Sequence, residues 1–163
     1  MANYKLILED DFKDEFSLIA IHCSVEAYKM AFLLNQHLSL QLKRRRTDLD
    51  FSKHGLELSF PWFEFEDEFE YTTYDLLANS FKTINARTIA SGGLFNDEAS
   101  AELITEYLIP ELKSADYLLK ITSESQKLPI RKLLMDLNEI NQVISAYTVE
   151  IEQLKSKNNL IFD

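Results

Sequence analysis

One cysteine, three glycines and three prolines are all that the 163 residues contain of these types, and each shortage removes a class of explanation. A lone Cys23 cannot close an internal disulfide, and it suits a reducing compartment. The scarcity of Gly and Pro leaves no flexible seam, so a single domain over residues 1–163 is expected. No apolar run approaches the roughly 20 residues that a membrane-spanning helix needs. The opening Met1-Ala2-Asn3-Tyr4-Lys5 lacks the basic start and apolar core of a secretory signal. Together these features predict a cytoplasmic protein with no membrane association.

Basic residues are also in short supply. Lys and Arg total 17 against 27 Asp and Glu, a net charge of −10, whereas nucleic acids and anionic lipid surfaces both reward clustered cations. Nucleic-acid binding is therefore disfavoured. Metal-ligand pairs are missing too: there is no Cys-x-x-Cys and no His-x-x-x-His. His22 and Cys23 are adjacent and would point to opposite faces of a strand. His37 falls near the end of a predicted helix, where a cation suits the dipole. A Cys23 nucleophile with a His37 base would need a third, orienting group that the sequence does not place. Ser91-Gly92-Gly93 lacks the Lys-Ser/Thr ending of a phosphate loop and reads as a loop. No metal and no cofactor are expected.

What is present is apolar and aromatic: 46% hydrophobic residues and 12% Phe, Trp and Tyr, enough for one well-buried core. Tyr4–Leu8 reads as a short strand. Residues Phe16 to Cys23 form a mostly apolar second strand, followed by Ser24 as an N-cap and Glu26 in a first helical turn. Ala27, Tyr28, Ala31, Phe32, Leu34 and Leu38 then recur at helical spacing. Leu40 to Lys43 alternates again as a strand. From Leu56 to Tyr74, rings interleave with acids, and alternation through Phe63-Glu64-Phe65-Glu66 with a turn at Asp67-Glu68 predicts two antiparallel strands. In the last third a strand over Asp116–Thr122 precedes a helix opened by Pro129, with Ile130, Leu133, Leu134, Leu137 and Ile140 as its apolar stripe, and a strand over Val143–Val149. The Leu-Asn pairs at Leu34-Asn35 and Leu137-Asn138 recur near the two helix ends. The tail closing on Leu160-Ile161-Phe162 is expected to dock on the core or on a neighbouring subunit. The predicted class is α+β: a mostly antiparallel sheet with two main helices, two strand-helix-strand arms around a central hairpin, in the manner of ferredoxin-like or ACT-like folds.

The segment Ile109-Pro110-Glu111-Leu112-Lys113-Ser114-Ala115-Asp116-Tyr117 resembles the pattern that names the bacterial IPExxxVDY family, with Ala115 where that pattern has valine. The resemblance marks a family and implies no assigned activity. Read as residues, Pro110 restricts Ile109 to extended conformations, and Tyr117, Leu119 and Ile121 supply one alternating face. Glu111 and Asp116 are the carboxylates of interest, since paired acids serve acid–base chemistry or hold divalent metals. The plainer reading pairs Glu111 with a base such as Lys113 or an arginine and has Asp116 cap a turn.

Lys43-Arg44-Arg45-Arg46 is a sharp basic cluster that could grip phosphate, RNA or an acidic partner, or balance the acids between Glu64 and Glu70. The resulting functional expectation is a non-catalytic protein-interaction or regulatory module, a homodimer through its acidic-aromatic segment, contacting an unknown protein partner. The alternative is a small-ligand sensor or enzyme with Glu111, Asp116 and Tyr117 lining a pocket.

Overall fold

The computed structural model describes residues 16–86, 101–124 and 128–162; the predicted strand at Tyr4–Leu8 and the Ser91-Gly92-Gly93 loop lie outside them. The class is α+β, with two α-helices among the described residues and a mainly antiparallel sheet. Strand β1 (Phe16–His22) leads into helix α1 (Ala27–Leu38). Strands β2 (Lys43–Arg44), β3 (Leu49–Lys53), β4 (Leu56–Phe60), β5 (Trp62–Asp67), β6 (Thr72–Ala78), β7 (Ser80–Ala86), β8 (Ala101–Tyr107) and β9 (Tyr117–Ser123) follow, then helix α2 (Ile130–Glu139) and strand β10 (Ser145–Val149).

Six strands form the main sheet in the order β10-β1-β9-β6-β5-β2, every pair antiparallel. Its four strands β10-β1-β9-β6, with α1 after β1 and α2 between β9 and β10, have the connectivity of the split β-α-β arrangement. Two hairpins, β3–β4 and β7–β8, are added to this plan. The β3–β4 turn is two residues long, His54 and Gly55, both at positive φ (51° and 76°), the geometry that matches the strand twist in tight hairpins.

One arm differs from expectation. The predicted strand at Leu40–Lys43 is reduced to Lys43–Arg44, which pairs with β5 at the outer sheet edge. Asn35, inside α1, explains this: its Oδ1 accepts the Leu42 N–H at 2.8 Å and its Nδ2 donates to the Leu42 carbonyl at 3.1 Å. The backbone of Leu42 is thus satisfied by a helix side chain instead of a strand ladder. Asn138 of α2 does the same for Ala146 in β10, accepting its N–H at 2.9 Å and donating to its carbonyl at 3.1 Å. The repeated Leu-Asn pairs therefore share a structural role.

Both faces of the sheet are covered, which explains why β9 reads as a nearly continuous apolar run. On one face Ile19, Ile21, Tyr74, Leu76, Leu119 and Ile121 pack against Met30, Leu33 and Leu34 of α1 and Leu133 and Leu137 of α2. On the other, Leu18, Ala20, Trp62, Leu77 and Leu118 meet Leu58 and Phe60 of the β3–β4 hairpin, Ile109, Leu154 and Leu160. Truncating a side chain as buried as Leu119 to alanine costs roughly 2–5 kcal/mol.

Helix α1 carries more apolar residues than one face can bury. Met30, Ala31, Leu33 and Leu34 face the core, and Tyr28 and Phe32, expected on the apolar stripe, are exposed one turn apart. Glu26 occupies the N-cap position, without a side-chain cap bond, where Ser24 was expected. The C-terminal tail docks on its own chain: Leu160 is fully buried and the Phe162 ring meets Trp62 edge-on with centroids 4.5 Å apart.

Candidate functional site

The segment Ile109–Tyr117 wraps around a residue that its own sequence does not mention. Asn79, between β6 and β7, is fully buried, and every polar group it owns is bonded to this segment or its approach. Its Oδ1 accepts the Ile109 N–H at 2.9 Å, and its Nδ2 donates to the carbonyls of Leu112 at 2.8 Å and Ala115 at 3.0 Å. Its backbone N–H donates to the Asp116 carbonyl, and its carbonyl accepts the Leu108 N–H.

Around that centre each motif position has a definable contact. Ile109 is buried, and Pro110 begins a single 3-10 turn, Pro110–Leu112, where its missing N–H is no loss. Asp116 joins β9 to β1: its N–H donates to the Ile21 carbonyl, and its Oδ2 accepts the Cys23 N–H at 2.9 Å. The same oxygen lies 3.7 Å from Nε2 of His22. Tyr117 is buried and donates its hydroxyl to the Val25 carbonyl just before α1. Burial, with smaller contributions from Cys23, Asp116 and Glu26, pushes its phenol up to about 12, so it remains a donor at neutral pH.

Glu111 has a different partner. Its Oε1 accepts the backbone N–H of Ser156 at 2.9 Å, tying the 3-10 turn to the C-terminal segment. Burial pulls its carboxyl upward, but hydrogen bonds from its own backbone, Ser156 and Lys155 together hold it below the ordinary range. The basic partner expected for Glu111 is replaced by these backbone donors. Lys113 instead lies over the Tyr107 ring at 5.9 Å.

A cavity of about 480 Å³ opens beside Asp116 and Tyr117, with Cys23, Glu26, Asp48 and Lys82 also on its wall; Glu111 does not line it. Cys23 is buried, and its thiol donates to the Gln142 carbonyl at 3.1 Å. His37, in the last turn of α1, stands roughly 15 Å along the helix axis from that end. Among the described residues no group of three or more His, Cys, Asp or Glu is placed to hold a metal ion.

The basic cluster is largely paired. Arg44 donates to Asp48 at 3.1 Å and lies over the Phe63 ring. Arg45 bonds Glu64 at 2.8 Å and sits 3.8 Å above the Trp62 ring. Arg46 is exposed.

Of the acidic-aromatic segment, Phe60, Trp62, Phe63 and Tyr74 are core. The tip of the β5–β6 hairpin is not: Phe69 is 95% and Tyr71 70% exposed, amid Asp67, Glu68 and Glu70. Asp67 Oδ1 accepts the N–H groups of Phe69 and Glu70 at 3.0 and 3.2 Å, and Tyr71 holds a left-handed φ of 49°. The turn is thus built to a defined shape with its rings outside.

No described helix is long and apolar enough to cross a membrane. No protein-family model, curated protein or solved structure matches the chain.

Proposed function

We propose that the chain is a non-catalytic protein-interaction module, regulatory in role, whose contact surface is the β5–β6 hairpin tip. The observation that carries this reading is the outward display of Phe69 and Tyr71 on a turn held by Asp67. Aromatic side chains bury roughly 150–250 Å² each when covered and are enriched where proteins meet. A bulky residue at positive φ costs of order 1–3 kcal/mol, strain that accumulates at functional positions. The surrounding Asp67, Glu68 and Glu70 suit a partner with basic groups around an apolar pocket.

The same proposal gives the Ile109–Tyr117 segment a scaffold role. Its acids bond backbone N–H groups of the chain itself, so the likeness to the IPExxxVDY pattern is proposed to mark a shared architecture. A homodimer is proposed through β10, one of the two edge strands of the sheet, where Tyr147 is exposed; Asn138 already takes both backbone groups of Ala146, so side chains would carry that contact.

Affinity capture from the native host tests the reading. The double substitution of Phe69 and Tyr71 by alanine should cut recovery of a saturable partner by about tenfold or more, as interface aromatics do. Undiminished recovery would sink the proposal.

A further inference from the structure

Between the β3–β4 hairpin and the start of the Ile109–Tyr117 segment lies a cleft of about 320 Å³. Three separate pieces of chain meet there: Phe51 and Phe60 from the hairpin, Tyr107 and Pro110 from β8 and the turn after it, Ser156 and Asn159 from the C-terminal segment. Each piece is fixed from behind. The Phe60 ring stands edge-on to those of Phe51 and Phe81, with centroids 6.1 Å apart in both pairs. Asn159 Nδ2 donates to the Leu108 carbonyl at 2.8 Å, and the Ser156 N–H donates to Glu111 Oε1 at 2.9 Å, so the C-terminal segment is tied on either side of Pro110. The cleft is thereby held open in one shape before any ligand arrives, which lowers the cost of binding.

Its wall is mostly apolar and carries one kind of charge. Among the described residues Lys53 is the sole charged side chain lining it, and strand alternation puts Lys53 on the same hairpin face as Phe51. Lys53 Nζ meets Glu106 Oε2 at 3.3 Å in an exposed ion pair. Such pairs contribute little, and an ammonium has three N–H donors, so Lys53 can serve a second carboxylate at small cost. Rings that line an open cleft are apolar surface for a ligand to cover. We propose that this cleft binds a small aromatic carboxylic acid, its ring against Phe51 and Phe60 and its carboxylate at Lys53.

Three features select that chemistry. No acid lies on the wall beside Lys53, so an anion meets a cation there and a ligand ammonium would not. Lys113, whose Nζ lies 5.9 Å from the Tyr107 ring, and the exposed Lys155 and Lys157 on either side of Ser156 add to the attraction. A phosphate calls for a guanidinium fork or a nest of backbone donors, whereas one ammonium beside aromatic rings suits a carboxylate with a ring. The volume lies at the small end of the roughly 300–1,000 Å³ of ligand sites, enough for one ring and a short acid chain. This site is separate from the β5–β6 hairpin tip and stands whether or not the tip holds a partner.

Titration of the isotopically labelled protein with phenylacetate, followed by NMR, should give saturable shifts of the backbone amide signals of Phe51, Tyr107 and Leu108. Phenylacetamide, alike in shape but uncharged, and phenethylamine, opposite in charge, should bind about tenfold more weakly or worse, because the Lys53 ammonium gains no carboxylate. Acetate, which keeps the charge and lacks the ring, should not saturate. Lys53→Met keeps the apolar stem of an exposed residue and should weaken phenylacetate to a similar degree, whereas Lys53→Arg should bind as wild type does. Glu106→Gln, which leaves Lys53 without its competing acid, should tighten binding. The comparison of acid with amide on the wild-type protein decides even where a variant fails to fold. Equal affinity for the two, saturable shifts confined to other parts of the molecule, or no saturation up to about 10 mM phenylacetate would overturn the proposal.

Discussion

The side-chain oxygen of Asn79 receives the backbone N–H of Ile109 at 2.9 Å inside the core. This bond, with the two that the Asn79 amide makes to Leu112 and Ala115, lets an irregular segment pass through the interior with its backbone satisfied. Asn79→Ala would leave the Ile109 N–H and the Ala115 carbonyl without this partner, while the Leu112 carbonyl keeps the Ala115 N–H. A loss of about 2 kcal/mol or more is expected, since each orphaned group costs about 1–3 kcal/mol, and urea unfolding measures it. Stability within 1 kcal/mol of wild type, roughly the cost of one bond, would show that other groups replace the amide.

The two motif acids should behave as structural acceptors. Asp116→Ala removes the acceptor for the Cys23 N–H but keeps the backbone bond from Asp116 to the Ile21 carbonyl. It should lower stability by about 1–3 kcal/mol. Glu111→Ala releases an exposed tie to Ser156 and should cost less. Melting curves of both variants settle the order, and an unchanged melting temperature for Asp116→Ala would contradict it.

Asp75 gives the fold a pH dependence of unusual sign. Burial, opposed by the Trp62 hydrogen bond, raised by Glu64 and lowered by Lys120 and Arg45, pushes its carboxyl from 3.8 up to about 6. The folded state therefore holds this proton where the unfolded chain has released it. Its contribution is full below about pH 4 and declines as pH rises to about 6, a difference of roughly 3 kcal/mol. Asp75→Asn should remove that decline and be the more stable protein at pH 7. Parallel stability curves for the two proteins between pH 4 and 7 would refute the assignment.

At the hairpin tip, Tyr71→Gly relieves a left-handed residue and should raise stability by about 1 kcal/mol. The same change removes a contact ring and should weaken partner capture. A gain in stability with no loss of capture would argue that the Tyr71 ring is idle.

Local patterns carried much of this architecture. Apolar runs, β-propensity and helical spacing located β1, α1, β9, α2 and β10; all but β10, whose residues are half-buried or exposed, bury a face that their own sequence spells out. The β3–β4 hairpin was missed although His54-Gly55 is a turn signal. The failure of Leu40–Lys43 to become a full strand depends on Asn35, seven residues upstream, competing for Leu42. Longer-range relations left no pattern. Asn79 serves carbonyls 33 and 36 residues away, and the opposition of Asp75 and Lys120 exists only through sheet register. Glu111 and Asp116 stood out as acids, but only the fold gives them separate backbone partners.

Stability and partner capture measured on the same two variants test the central claim most directly. The Asp116→Ala protein should melt earlier yet, kept below its transition, capture its partner as well as wild type per folded molecule. The Phe69→Ala, Tyr71→Ala protein should melt at the wild-type temperature or above and lose capture. The reverse pattern, with capture lost at Asp116 and kept at the tip, would contradict the assignment of scaffold to the motif and contact to the hairpin.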